Sequence, residues 1–411
     1  MSGLDSDLLG TDPGYGLEWD VPAAQSGDSL ALVLTGGGAR AAYQVGVLRA
    51  IASLLEPETP SPFPIICGTS AGAINAAAVA SGAGDFRRTV RQLAAVWKQF
   101  HAHQVYRADA LGVLHTGVRW LSAFFMGGRG RNNPTALLDN APLASLLAAM
   151  LDLPGIQRSI DKGHLRALSI TASGYTSGES VSFCQVGRDL SGWRRARRVG
   201  LCCEIGVEHL MASAALPFIF PAVNLNREFF GDGSMRQIAP LSPALHLGAR
   251  RLLVVGTGRQ TPLQPERSGS QEYPSLAQIA GHALNSIFLD SLETDLERLR
   301  RINHTVGLIP ETVRTRNNMA LHRVEVLVML PSQSLADIAA KHTHALPRPI
   351  RALFRGIGAM GRSGSNLASY LLFEVPYTRA LMQLGYDDAM KRRDELIEFI
   401  GVKPRPRRRR V

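Results

Sequence analysis

Gly68, Thr69, Ser70, Ala71 and Gly72 read G-x-S-x-G, the spacing of a nucleophile elbow. By itself the pentapeptide also fits a Gly-Ser turn that caps a helix. Its surroundings favour chemistry, because a short apolar run (residues 65–67) precedes it and an Ala-rich helical stretch (residues 71–80) follows. A strained strand-to-helix turn would push the Ser70 hydroxyl outward. The helix N-terminus behind it would offer its dipole and free N–H groups to developing negative charge.

A second stretch, TGGGARAAYQ (residues 35–44), has three glycines that let backbone amides turn toward a ligand, as a phosphate cradle or an oxyanion hole requires. Gly36, Gly38 and Ala41 also match the dinucleotide pattern G-x-G-x-x-G/A. That fingerprint wants an acidic residue closing the second strand. Here the strand runs into Cys67 and Gly68, while Glu56 and Glu58 fall before it in a Pro-rich loop. A dinucleotide-binding α/β protein therefore stands as an alternative without its ribose partner. The third candidate is Asp232, in the chain's only Asp-Gly pair, with Gly231 and Gly233 on either side. It is either an ordinary turn or a carboxylate set close to another backbone. Eleven histidines are present, yet His246, His282 and His304 lie in helical or loop patterns, and none sits in a recognisable catalytic context. Ser70 also comes too early for the Ser, acid, His order of a common α/β-hydrolase.

The elements that must position these residues alternate. An apolar run at residues 30–34 predicts a strand buried on both faces, and residues 39–55 carry helical spacing through Tyr43, Val47, Leu48, Ile51 and Leu55. With the strand at 65–67 and the helix after Ser70, this is βαβ logic, a parallel right-handed crossover with both turns at one sheet edge. Further helices are expected at 85–100, 141–151 and 204–216, and strands at 165–172, 181–185, 228–230 and 251–255. Beyond a polar linker at 260–273, long helical patterns cover 274–303, 346–360 and 366–400, with a strand-like run at 324–330. The apolar segment 367–384 suits either a core stripe or a lid over an acyl channel.

Hydrophobic residues make up 45% of the 411 and charged ones 19%, a balance that excludes a disordered chain. Cys67, Cys184, Cys202 and Cys203 show neither zinc spacing nor a disulfide framework, which fits a reducing compartment. The acidic start MSGLDSDLLG is not expected to be a secretory signal, and no run is long enough to predict a membrane-spanning helix. Six of the charges behind the net +11 lie in the C-terminal KPRPRRRRV. Such a tail is expected to be disordered, and it suits a solvated end, an anionic lipid surface or nucleic acid.

Taken in order, the Gly-rich loop, the GxSxG and the distant Asp-Gly pair resemble the patatin-like phospholipases, lipid acyl hydrolases with a Ser–Asp dyad and no histidine. The stretches ASAALPFIFPAV (residues 212–223) and LLDNAPL (residues 137–143) are similar to that family's as well. The resemblance implies Ser70 as nucleophile and Asp232 as proton acceptor. It implies an oxyanion hole among Gly36, Gly37, Gly38, Ala39 and Arg40, an elbow of Gly68, Thr69, Ala71 and Gly72, and an Asp motif completed by Gly233 and Ser234. Ala41 stands where the family has Gly, and Ser234 where it has Ala or Gly. The implied fold is α/β, three-layered, with a mostly parallel central sheet and a helical C-terminal extension. Its divisions are a leader (1–28), a catalytic domain (29–262), a helical region packed on it (263–400) and a basic tail (401–411). No cofactor or metal is implied. The expected substrate is a lipid ester met at a membrane or lipid surface, the expected place cytoplasmic and peripheral, and nucleic acid is not the expected partner. A non-catalytic lipid-binding protein of the same fold is the other alternative.

Overall fold

The computed structural model describes residues 29–107, 136–258, 275–317, 319, 321–356, 358–360 and 364–402. The leader, the Gly/Arg-rich stretch at 126–134, the linker at 260–273 and the basic residues of the tail lie outside the described residues. Among those described, ten strands make one sheet: β1 (Leu30–Leu34), β2 (Ile65–Thr69), β3 (Ala167–Gly174), β4 (Ser180–Val186), β5 (Trp193–Arg195), β6 (Arg198–Cys202), β7 (Val223–Leu225), β8 (Glu228–Asp232), β9 (Arg251–Val255) and β10 (Glu325–Met329). Their order is β10-β9-β1-β2-β3-β4-β6-β5, with the β7–β8 hairpin attached to β3 through β8. From β10 to β3 every pairing is parallel; β4, β5, β7 and β8 bring the antiparallel contacts. This is an α/β fold with a mostly parallel central sheet and helices at its C-terminal end.

Why β1 reads as a continuous apolar run is plain from its two faces. Leu30, Leu32 and Leu34 enter one buried cluster, while Ala31 and Val33 enter another on the opposite side. A parallel strand covered by helices on both faces has no polar side to show. The first cluster is filled by α1 (Ala42–Leu54), α2 (Ala71–Ser81), α3 (Phe86–Lys98), α4 (Ala141–Met150) and α5 (Pro154–Asp161). Asp85 starts α3 by accepting the Arg88 amide at 3.0 Å. The helix α6 (Val207–Ser213) leads into β7 and β8.

The C-terminal helices are shorter than the sequence pattern suggests. The pattern at 274–303 divides into α7 (Leu276–Asn285), a π turn at Ser286–Asp290 and α8 (Ser291–Leu308). The pattern at 366–400 divides into α9 (Ser365–Leu371), α10 (Val375–Lys391) and α11 (Arg393–Ile400), because Pro376 can open a helix but not continue one. The helix at Leu335–His342 and the strands β5, β6 and β7 had no clear periodicity in the sequence. The helix α10 lies against α1 so closely that a Cβ on Gly46 would meet the Met382 carbonyl, and one on Gly385 the Tyr43 carbonyl. Tyr43 Oη donates to Asp388 across that contact.

Candidate active site

Ser70 stands between β2 and α2 with φ 56° and ψ −131°, a region that a residue with a side chain rarely adopts. Strain of this kind is worth on the order of 1–3 kcal/mol and persists only where surroundings fix it. They do so here. The Ser70 amide donates to Ser213 Oγ at 2.9 Å, and Ser213 in turn donates to the Thr171 carbonyl at 2.6 Å. Thr69 Oγ1 donates to Gln237 Oε1 at 2.8 Å, and Gln237 donates back to Thr171 Oγ1. Gly72 is required by close approach, because a Cβ there would sit 2.4 Å from the Leu34 carbonyl. Gly68, Ala71 and Gly72 thus keep the start of α2 tight against the ends of β1 and β2.

Asp232 closes β8 and is fully buried. Its amide donates to the Ala215 carbonyl, and its Oδ1 accepts the Ser234 amide at 2.9 Å. Its Oδ2 is buried without a hydrogen-bond partner. Burial pushes the carboxyl up to about 6, against smaller downward pulls from the Ser70 hydroxyl and from the amide and hydroxyl of Ser234. Ser70 and Asp232 close no hydrogen bond of ordinary length and angle, and Oδ2 stays open. Gly233 packs on the Thr171 carbonyl, so the turn after Asp232 rests on β3.

The Gly-rich loop lies at the end of β1, next to the elbow. Gly36 presents its carbonyl to Thr257 Oγ1 at 2.6 Å. Gly38 has φ +54°, and a Cβ there would fall 2.3 Å from the Tyr370 carbonyl, so only glycine fits. The amides of Gly37 and Gly38 have no hydrogen-bond partner among the described residues, whereas the Arg40 amide is engaged by the Gly37 carbonyl. Ala39 and Arg40 continue into a single 3-10 turn. The Arg40 guanidinium does not point to Ser70. It donates from Nε to Ser369 Oγ at 2.8 Å, from Nη1 to Tyr370 Oη at 3.0 Å and to Asn285 Oδ1 at 3.2 Å, and from Nη2 to Asn366. It fastens the loop to the C-terminal region, and the partners named are all neutral.

Several of these supports had no signal in the sequence. Gln44 donates to the carbonyls of Thr35 and Val255, and Asn75 joins Gln44 to the Trp97 indole. Asn75 is the one polar residue of the Ala-rich α2 before its terminal Ser81, a signal that could have marked it. The stretches around 137–143 and 212–223 pair with each other: Leu137 and Leu138 donate to the carbonyls of Phe218 and Ile219.

Ser70 and Gly38 open onto a narrow apolar cavity of about 50 Å³. Its walls include Trp97, Leu147 and Phe220 from the N-terminal part, and Phe288, Tyr370 and Phe373 from the C-terminal part. Phe288 and Tyr370 stack with ring centroids 5.1 Å apart. Among the described residues, no group of three or more His, Cys, Asp or Glu side chains gathers at metal-binding distance, and no helix is long and apolar enough to cross a membrane.

The sequence matches a known family. The family model described as patatin-like phospholipase matches residues 32–245, just over half of the chain. No curated protein matches it. Among solved structures, human GIVD cytosolic phospholipase A2 in complex with methyl gamma-linolenyl fluorophosphonate shares 14% identity at a TM-score of 0.42, over 91% of this chain and 58% of that one. VipD from Legionella pneumophila shares 14% identity at a TM-score of 0.33, over 90% and 67%. ExoU of Pseudomonas aeruginosa, in complex with SpcU, shares 13% at 0.25, over 90% and 78%. The chain thus spans under two thirds of the human protein's length. With more than half of its residues matched, the Gly-rich loop, GTSAG and the Asp232-Gly233 pair among them, the chain belongs to the patatin-like phospholipase family.

Proposed function

We propose that this protein is a serine acyl hydrolase that cleaves fatty-acyl esters of lipids through Ser70 and Asp232. The observation that carries the reading is the unpartnered, fully buried Oδ2 of Asp232 beside a strained Ser70 at the mouth of an apolar cavity. Family membership supports lipid hydrolysis; the dyad and the acyl-enzyme are this reading's own.

In the first half-reaction Ser70 Oγ bonds to the ester carbonyl carbon as its proton passes to Asp232 Oδ2. The carbonyl oxygen becomes an oxyanion held by the free amides of Gly37 and Gly38. The ester C–O bond then breaks, and the leaving alkoxide takes the proton from Asp232. Water attacks the acyl-enzyme while Asp232 accepts its proton; Ser70 departs with that proton, and a fatty acid is released. A carboxyl held near pH 6 is a better base than an ordinary aspartate and is still mostly ionised at neutral pH. The Gly-rich loop serves the oxyanion rather than a dinucleotide, since β2 closes on Thr69 with no carboxylate for a ribose.

The test is turnover of medium-chain nitrophenyl esters and of phospholipid vesicles by purified protein, beside Ser70→Ala and Asp232→Asn. Hydrolysis lost in both variants, with folding intact, supports the dyad. Hydrolysis retained in either variant overturns it. Binding of lipid with no turnover by the wild type would indicate the non-catalytic alternative.

A further inference from the structure

The cavity at Ser70 has a second, larger neighbour, and three helices run past both. On α2, Ala71 and Ile74 line the cavity, whereas Ala78 and Ser81 line an open cleft of about 750 Å³. On α3, which runs the other way, Phe100 just beyond its end and Trp97 line the cavity, while Leu93 and Thr89 line the cleft. On α4, Leu143 and Leu147 belong to the cavity, and Leu151 and Asp152 just past its end to the cleft. Among the described residues, only Val96 and Met150 belong to both. They are the partition.

The two compartments differ in chemistry. The Ser70 side is apolar, while the far side carries Arg88, Lys162 and the Arg158–Asp152 ion pair. An acyl chain starting at Ser70 and following α2 meets the partition between the levels of Ile74 and Ala78. At 1.5 Å per residue that is about 6–12 Å from Ser70. An extended chain advances about 1.2 Å per bond, a third of a residue's span, so this distance takes about five to ten carbons.

Resting on the acyl-hydrolase reading, we propose that Val96 and Met150 set the acyl-chain length, by closing the apolar pocket against the polar cleft. Within the pocket each added methylene strengthens binding about fourfold by its burial. Past the partition a further methylene meets charged side chains, and the gain stops. Both residues are half-buried, and Met150 has the three free torsions of an unbranched side chain, so it is the movable half of the wall. Longer chains pass only when it swings aside.

The full-length protein is assayed with nitrophenyl esters from butyrate to palmitate, beside Met150→Ala, Val96→Ala and Met150→Trp. The wild type is expected to rise through the short esters and level off or fall between pentanoate and decanoate, about five to ten carbons. Met150→Ala is expected to move the break toward longer esters by about two to four carbons, the reach of the deleted side chain, and Val96→Ala by about one. Met150→Trp is expected to move it toward shorter ones. The same series is read without turnover, as displacement of a fluorescent fatty acid from Ser70→Ala protein by fatty acids from butyric to palmitic. Breaks that shift in opposite directions in either readout support the partition. Unchanged breaks in folded variants overturn it, whatever the turnover. Loss of ester hydrolysis in the wild type with the graded binding profile intact would instead fault the catalytic reading and leave the partition standing.

Discussion

Ser70 and Asp232 meet because β2 and β8 use the same edge of β3, one after the other. β2 ends where Thr69 pairs with Thr171, and β8 pairs from Ala172 onward, with Asp232 opposite Ala172. The other edge of β3 is taken by β4 from Ala167 to Ser173. Two strands arriving head to head on one edge leave their terminal residues facing each other across a single step of β3. Thr171 reinforces the junction from both sides, through Ser213 toward Ser70 and through its packing on Gly233 beyond Asp232.

The raised carboxyl of Asp232 has a consequence for rate. The base must be ionised, so kcat/KM is expected to be full above about pH 6 and to fall about tenfold per unit below it. A pH profile on a soluble ester between about pH 4.5 and 8 reads this limb. An acid limb near the ordinary carboxylate value of 3.8 would show that Asp232 does not act as the base in this environment.

Stability is predicted to move the opposite way. A carboxyl raised on folding holds its proton more tightly in the native state, so its contribution is intact below pH 3.8 and is lost as pH rises through about 6. Asp232→Asn removes that penalty and is expected to stabilise the protein at neutral pH, on the order of 2 kcal/mol. The gain should vanish below about pH 4. Denaturant unfolding at both pH values checks the sign, and an Asn variant less stable at neutral pH would contradict it.

Ser234 departs from the family's Ala or Gly, and its hydroxyl helps to hold the Asp232 carboxyl down. Ser234→Ala keeps the amide to Oδ1 and removes that hydroxyl. The acid limb of the rate profile is expected to move up, by as much as about one pH unit. A limb that stays in place or moves down would show that the hydroxyl does not reach the carboxylate in solution.

Arg40 predicts a coupling between the Gly-rich loop and residues beyond the family match. Removing its guanidinium leaves Ser369, Asn285 and Tyr370 without a shared donor in a buried setting. Arg40→Met is expected to cost about 2–4 kcal/mol and to lower kcat more than it raises KM. Arg40→Lys should not restore it, since a single ammonium cannot reach several partners as the planar fork does. Unfolding curves and steady-state kinetics of both variants measure this. A Lys variant equal to wild type would argue that only charge matters.

What the sequence made legible was local chemistry. GTSAG and GGGARA could be read because turns and strand ends are specified by neighbours in the chain, and Ser70's strained φ follows from its place between a strand and a helix. The meeting of Ser70 with Asp232 depends on strand pairing across about 160 residues, which no local pattern encodes; only the resemblance brought them together. Ser213, Gln237 and Gln44 act through contacts fixed by the whole fold, so as isolated polar residues they gave no sign. For the Arg40 side chain the sequence left open charge at the oxyanion or a lock on the loop; the partners that make it a lock lie some 330 positions away, in helices whose boundaries the periodicity blurred. The π turn at Ser286–Asp290, which carries Phe288 to the cavity, is likewise invisible to a count at helical spacing.

The most direct measurement is covalent labelling by a fluorophosphonate, followed by intact mass and peptide mapping, on wild type, Ser70→Ala and Asp232→Asn. One adduct per chain is expected, on Ser70, absent from Ser70→Ala and greatly slowed in Asp232→Asn. An adduct on another residue, or no adduct on folded wild-type protein, would contradict it.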